Sequence, residues 1–416
     1  MKIYMEVYGC TANKSDASLM LGLLKERKHE IVENINEADT LMLLTCTVIG
    51  TTEQKMLSRL RVFMKTNKRV IVAGCMVSVQ ADLIKSVVPN ATLLSPQHVQ
   101  HIVDIIERKN VQFVTKYKVG MPRHFDGVIA PIAIADGCDF SCSYCIISKA
   151  RGKLVSYPVK DIAEDVCKVV KHGCKEIQIT AQDTASYGLD TKDTLADLLN
   201  KLCEITGDFR IRIGMMNPNT VLNRLDETID AFGHDKVYKF LHLPVQSGDD
   251  EILKKMNRRY TVNNFLEIIR KFREKHQDIT ISTDIIPGFP SENDEQFYNT
   301  INLLKKVKPD IVNITRFSTR PLTQAKKMKE KIPTHIAKER SRLLTKLCKE
   351  ISLEKNRCCI GKKYLALITK NGKDNTMTGR IENYKPVIIK DRVDLGDFAP
   401  IKITNATASY LLGKLI

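Results

Sequence analysis

The chain has 416 residues, too many for one ordinary domain and suited to two or three. Its 43% hydrophobic content can supply real cores, while no run of about 18 apolar residues offers a membrane span. The formal charge of +17 argues against an acidic or purely solvating chain and points to a polyanionic partner, although a Lys-rich solvated surface gives the same sum. Twelve cysteines behind an N-terminus (MKIYMEVYGC) that lacks a signal-peptide core suggest a cytoplasmic protein with metal or redox chemistry, not a disulfide scaffold.

The first 110 residues alternate strand and helix patterns. KIYMEVYG, TLMLLT, RVIVAG and ATLLS read as strands. Helical patterns separate them from about Ser15 to Glu26, through TEQKMLSRLRVFMK and near VSVQADLIKSVV. HVQHIVDIIERK follows the last strand as another helix. This order predicts a doubly wound parallel sheet, an N-terminal α/β domain over residues 1–112. Residues 111–128 carry VGMPRHFDG and read as a linker.

A second series starts at IAPIAIADG and continues through EIQITAQD, FRIRIGMM, VYKFLHLPV, TISTDIIPGF and DIVNITRFS. Six βα units are fewer than the eight of a closed barrel, so a partial (β/α)6 barrel over residues 128–355 is expected, open at one side for a bulky substrate. A basic helical stretch (AKERSRLLTKLCKEISLEKNR) precedes short alternating strands separated by turn signals. These predict a small C-terminal all-β barrel over residues 356–416, of a kind that often binds RNA.

Two cysteine sets stand out. Cys10, Cys46 and Cys75 each follow one of three successive strands, and ligands bind at the carboxyl ends of strands in such sheets. Cys138, Cys142 and Cys145 form C-x3-C-x2-C in ADGCDFSCSYCIISKARG, with Tyr144 before the last cysteine. Zinc would want a fourth protein ligand, and no Cys or His completes a short zinc-finger spacing nearby. Thiolates suit an iron–sulfur cluster, and three of them on a four-iron cluster leave one iron open. Cys167, Cys174, Cys203, Cys348, Cys358 and Cys359 show no partner pattern and read as packing residues.

CDFSCSYC resembles the radical S-adenosylmethionine (SAM) superfamily. The wider set, with YGC, LLTCTV, AGC, ITAQDTASYG, RIGMMNP, LHLPVQSG and TDIIPGFP, resembles the methylthiotransferases over the whole chain. TGRIENYKPV is similar to the TRAM RNA-binding domain. YGCTANKSD and MMNP look most like the archaeal and eukaryotic branch, which converts N6-threonylcarbamoyladenosine beside the tRNA anticodon to its 2-methylthio derivative. GFPSEND departs from the Gly-Glu that often follows GFP in the family, so Ser291 is given no contact.

The resemblance implies two [4Fe–4S] clusters. One, on Cys138, Cys142 and Cys145, binds SAM at its open iron for reductive cleavage to a radical. The other, on Cys10, Cys46 and Cys75, carries the sulfur to be transferred. It also implies tRNA, an external electron donor and a sulfur source as partners. SAM contacts are expected at barrel strand ends, at Gln182, Asp183, Asn217, His242, Gln246, Asp284 and Arg316. RNA contacts are expected at Arg151, beside Lys149 and Lys153, and at Arg380, Asn383 and Tyr384. Within the family the alternatives are isopentenyladenosine tRNA and a ribosomal-protein aspartate. Outside it, the alternative is a non-catalytic, metal-containing RNA-binding protein.

Overall fold

The computed structural model describes residues 1–115 and 117–416. The N-terminal sheet has five parallel strands: β1 (Lys2–Val7), β2 (Glu30–Val32), β3 (Thr40–Thr45), β4 (Arg69–Gly74) and β5 (Thr92–Leu94), in the order β2-β1-β3-β4-β5. Every residue of β3 is buried, because helices cover both faces. Leu41 and Leu43 join the core on one face, and Met42 and Leu44 the core on the other. That is why the strand reads as an unbroken apolar run. One strand escaped the sequence reading: β2 has only three residues and lies at the edge. The helix predicted near VSVQADLIKSVV is two short ones, Cys75–Val79 and Ala81–Val87.

From Lys118 on, the expected linker is a packed strap. A Cβ placed on Gly22, in helix Thr11–Glu26, would lie 2.3 Å from the Pro122 carbonyl oxygen, so the two backbones touch. Lys118, in the strap itself, is buried.

Six parallel strands form the central domain: β6 (Ile129–Ala133), β9 (Glu176–Thr180) and β10 (Arg210–Ile213), then β11 (Phe240–His242), β12 (Thr280–Ile285) and β13 (Ile311–Ile314). The two triplets meet at a parallel bridge between Ile211 and Val237, giving one arc in chain order. Among the described residues no pairing closes β13 onto β6, as expected for a six-unit partial barrel. Between β6 and β9, the two-residue strands β7 (Ala135–Asp136) and β8 (Val155–Ser156) pair antiparallel.

Helix Thr334–Arg357 leads to a closed barrel of β14 (Lys363–Asn371), β15 (Met377–Arg380), β16 (Pro386–Ile389), β17 (Phe398–Ala406) and β18 (Leu411–Leu415). This barrel is docked on the central domain. Tyr384 packs its ring 4.8 Å from Tyr238 and 4.9 Å from Phe240, and Lys385 Nζ lies 2.8 Å from Asp310.

Candidate active site

Strands β1, β3 and β4 are neighbours, so Cys10, Cys46 and Cys75 leave the same edge of the sheet. Two close turns bring them inward. Gly9 has φ +111°, and a Cβ there would meet Cys46 Cβ at 2.9 Å. Gly74 has φ +95° and lies against the Thr45 backbone. Asn13 staples the region, donating from Nδ2 to the carbonyls of Tyr8 at 2.7 Å and Thr45 at 2.9 Å.

The second set sits in a loop whose base is the β7–β8 ribbon. Cys138 N–H donates to the Gly152 carbonyl at 3.0 Å. Gly137 has φ +81°, and a Cβ there would fall 1.8 Å from the Lys153 carbonyl oxygen, so only glycine fits. Tyr144 packs with Ile252, Met256 and Phe289, which anchors the loop to the barrel. Arg258 Nη1 donates to Cys142 Sγ at 3.3 Å and Ile147 N–H to Cys145 Sγ at 3.5 Å.

The thiols of each set feel one another. Burial, then the neighbouring cysteines, push Cys46 up to about 11 and Cys145 up to about 12; burial pushes Cys138 up to about 11. Such thiols stay protonated in the bare protein, so thiolates form only when a cationic group draws the protons off. Among the described residues no three His, Cys, Asp or Glu are close enough to share a single metal ion. Soft thiolate triads with N–H donors aimed at sulfur fit an iron–sulfur cluster, which spreads its ligands wider than one ion.

Between the two sets lies a buried charge network. Arg151 donates from Nε to Cys75 Sγ at 3.3 Å, from Nη1 to Asp136 at 2.7 Å, and from Nη2 to Asn13 at 2.8 Å and Asp16 at 2.7 Å. Lys118 bridges the same carboxylates, reaching Asp16 at 2.8 Å and also pairing with Asp136. Burial alone would raise the Asp136 carboxyl, but Lys118 and Arg151 outweigh it and hold it down at about 2. Two cations and two anions, all buried but for the partly exposed Asp136, thus join the N-terminal domain, the strap and the cysteine loop.

A cavity of about 330 Å³ adjoins the cysteine loop: Val48 and Ile49, two and three residues past Cys46, line it together with Cys145 and Arg320. Of the residues expected to hold SAM, Gln246, Asp284 and Arg316 line this cavity. His242 lies beside Asp284, its Nε2 at 2.9 Å, and Asn313 donates to the same carboxylate at 2.8 Å. Gln246 holds φ +70°, a conformation disfavoured for a side-chain-bearing residue. Asn217 accepts from Arg258 Nη2 at 3.1 Å, so it supports the arginine that meets Cys142. Asp183 is turned inward. Its carboxylate accepts from the N–H groups of Ala185 and Asn217 and from the Thr220 hydroxyl, at 2.7 to 3.1 Å. Gln182 has a buried Oε1 without a partner.

The RNA expectations need correction. Arg151 is 4% exposed and its guanidinium is spent on Cys75 and three acceptors, so it does not face a phosphate. Arg380, Asn383 and Tyr384 lie at the seam with the central domain. The Tyr384 hydroxyl donates to Glu176 at 3.0 Å, Asn383 Nδ2 donates to the Asp278 carbonyl at 3.2 Å, and Arg380 lies over the Tyr384 ring. Lys149 and Lys153 are exposed beside the cysteine loop. Sequence reasoning missed Asn13, Asp16, Lys118, Arg258 and Arg320. Only Asn13 and Asp16 carried a signal, both as part of YGCTANKSD.

Comparison with known proteins agrees with this layout. The family model "Radical SAM superfamily" matches residues 132–304, "Uncharacterized protein family UPF0004" residues 2–95, and "TRAM domain" residues 357–416. The chain is 41% identical, over the full length of both, to a probable threonylcarbamoyladenosine tRNA methylthiotransferase of Pyrococcus horikoshii. It is 39% identical to one from Methanocaldococcus jannaschii, covering all of this chain and 97% of the other. The Mus musculus protein of that name is 31% identical over 99% of this chain and 74% of its own. Among solved structures, the radical SAM methyltransferase TsrM of Kitasatospora setae aligns with a TM-score of 0.58 at 13% identity, over 78% of this chain and 76% of that one; it shares the fold alone. With full-length identity of this order, the chain belongs to the family of threonylcarbamoyladenosine tRNA methylthiotransferases.

Proposed function

We propose that this protein replaces the C2 hydrogen of N6-threonylcarbamoyladenosine, beside the tRNA anticodon, with a methylthio group. The observation that carries the reading is the cavity bounded by Cys145 on one side and by the segment after Cys46 on the other. It gives a base room to lie between two sulfur-rich sites. The radical SAM match implies at least one iron–sulfur cluster and bound SAM. We assign two [4Fe–4S] clusters, to Cys138, Cys142 and Cys145 and to Cys10, Cys46 and Cys75. When bound, these groups supply the radical and sulfur chemistry that an aromatic C–H demands.

The chain's own residues bind and orient. Arg258 and the Ile147 N–H hold the sulfurs of the cysteine loop, and Arg151 and Asn13 hold the other triad. Gln246 and Asp284 are among the polar groups lining the cavity with Cys145, and we assign them to SAM, with His242 and Asn313 fixing the Asp284 carboxylate. Exposed Lys149 and Lys153 supply charge for phosphates near the target base. The same reading divides the chain into units at residues 1–112, 128–355 and 356–416, and carries with it a cytoplasmic setting, an electron donor and a sulfur source. No helix among the described residues is long and apolar enough to cross a membrane.

Anaerobic reconstitution tests the assignment. It predicts about eight irons per chain, four for each triad. It also predicts SAM cleavage and a 2-methylthio product on an anticodon stem-loop bearing threonylcarbamoyladenosine. A preparation that takes up one cluster, or binds zinc tightly, contradicts it.

A further inference from the structure

One side chain in the cavity is incompletely satisfied. Arg320 is 93% buried, its side chain retaining 7% exposure. Nη2 donates to Glu53 at 2.6 Å, but Nε and Nη1 have no acceptor. A buried guanidinium with unused donors costs folding free energy unless a ligand completes it.

Its surroundings favour an anion. Glu53 is shared with Gln80, which donates to the same oxygen at 2.6 Å. Asp284, the carboxylate that lines the cavity, is engaged by His242 and Asn313. Arg316 lines the same space and is exposed. Helix Gly50–Met64 begins at this wall, with Val48 and Ile49 in the lining and no side chain capping its first turn. Its free N–H groups carry partial positive charge. Gly50 keeps the wall open, since a Cβ there would press on Ser318 Oγ at 2.8 Å and approach Arg320 Nη1 at 3.9 Å.

We infer that Arg320 and Arg316, with the N-terminus of helix Gly50–Met64, bind the carboxylate of the threonylcarbamoyl group. This rests on the proposed substrate, whose threonyl part ends in a carboxylate that plain adenosine and isopentenyladenosine lack. Arg320 presents a fork suited to that group. A site with buried donors of this kind rejects a ligand that leaves them unpaired.

The test compares three anticodon stem-loops on reconstituted holoenzyme: threonylcarbamoyladenosine, its methyl ester, and adenosine at the same position. The phosphates are identical in all three. The acid is expected to bind roughly tenfold or more tighter than the ester, the scale of one charge-assisted pair. Arg316→Gln and Arg320→Gln should each erase most of that preference, read as the ratio of acid to ester affinity within each variant. Arg320→Lys keeps a cation for Glu53 and should retain part of the preference. Equal binding of acid and ester by the unaltered enzyme overturns the inference, even when the acid RNA is methylthiolated, as does full discrimination in both Gln variants. Absence of methylthiolation of the acid RNA marks a failure of the substrate reading instead.

Discussion

Arg151 Nε donates to Cys75 Sγ at 3.3 Å, and this contact joins the loop of one cysteine triad to a sulfur of the other. The arginine lies six residues beyond Cys145, so the two triads are positioned by one side chain. Asp16 and Asp136 hold its guanidinium, and Lys118 shares both carboxylates.

Removing that side chain should cost more than a surface charge does. Arg151→Met leaves the buried Asp16 and the partly buried Asp136 with a single cation, a loss on the order of 3 kcal/mol. Chemical denaturation of the apoprotein measures it. Arg151→Lys restores charge but not the fork, and should recover only part. Iron uptake by the N-terminal triad should fall in both variants. Unchanged stability and iron content in Arg151→Met would mean the network is ornamental.

The cysteine loop depends on a backbone that only glycine adopts. Gly137→Ala puts a Cβ 1.8 Å from the Lys153 carbonyl and asks alanine to hold φ +81°. The loop should fail to close, and on the proposed assignment of one cluster to each triad about half of the iron should be lost. Gly120→Ala is the control: it has φ +72° with nothing within 4 Å, so it brings strain without a clash. Equal iron content in the two variants would refute the steric argument.

Tyr384 is expected to matter for domain docking and not for RNA. It is 9% exposed, and its hydroxyl is bonded to Glu176, which is itself 1% exposed. Tyr384→Phe should destabilise the protein by about 1.5–3 kcal/mol, the scale of one hydrogen bond to a charged group, with Gln178 Nε2 left as the donor to that oxygen. Transfer RNA affinity should stay within about twofold, because a change of 1.4 kcal/mol is already tenfold. A drop in affinity with an unchanged melting temperature would return Tyr384 to the RNA surface.

Asp183 gives a pH signature. Burial pushes its carboxyl up to about 6, against the hydrogen bonds from Thr220 and Asn217. The folded protein therefore binds this proton more tightly than the unfolded chain, whose value lies near 3.8. The resulting stability is present at low pH and is lost as pH rises from about 4 to about 6. Asp183→Asn should abolish this component. Denaturation of apoprotein and variant across that window checks it: the gap between the two curves should change with pH, and parallel curves would contradict the assignment.

Much of this was legible in the sequence, for identifiable reasons. TLMLLT reads as a buried parallel strand because both its faces are covered, and the cysteines mark strand ends that prove to be neighbours. The losses were contacts between distant segments. Arg151 stands in a basic run and reads as a phosphate contact; the Asp16 it pairs with is 135 residues away. Arg258 meets Cys142 across 116 residues, with no local motif to flag it. Tyr384 carried the pattern of an RNA-stacking residue, but its burial depends on Tyr238 and Phe240 of another domain. Composition cannot distinguish an aromatic at a domain seam from one awaiting a base.

The most direct test of the central claim is mass spectrometry of nucleosides from tRNA, comparing a strain that carries this protein with one that lacks it. Loss of 2-methylthio-N6-threonylcarbamoyladenosine, with accumulation of N6-threonylcarbamoyladenosine, is the predicted result. Unchanged 2-methylthio-N6-threonylcarbamoyladenosine in the deletion strain would contradict the proposed function.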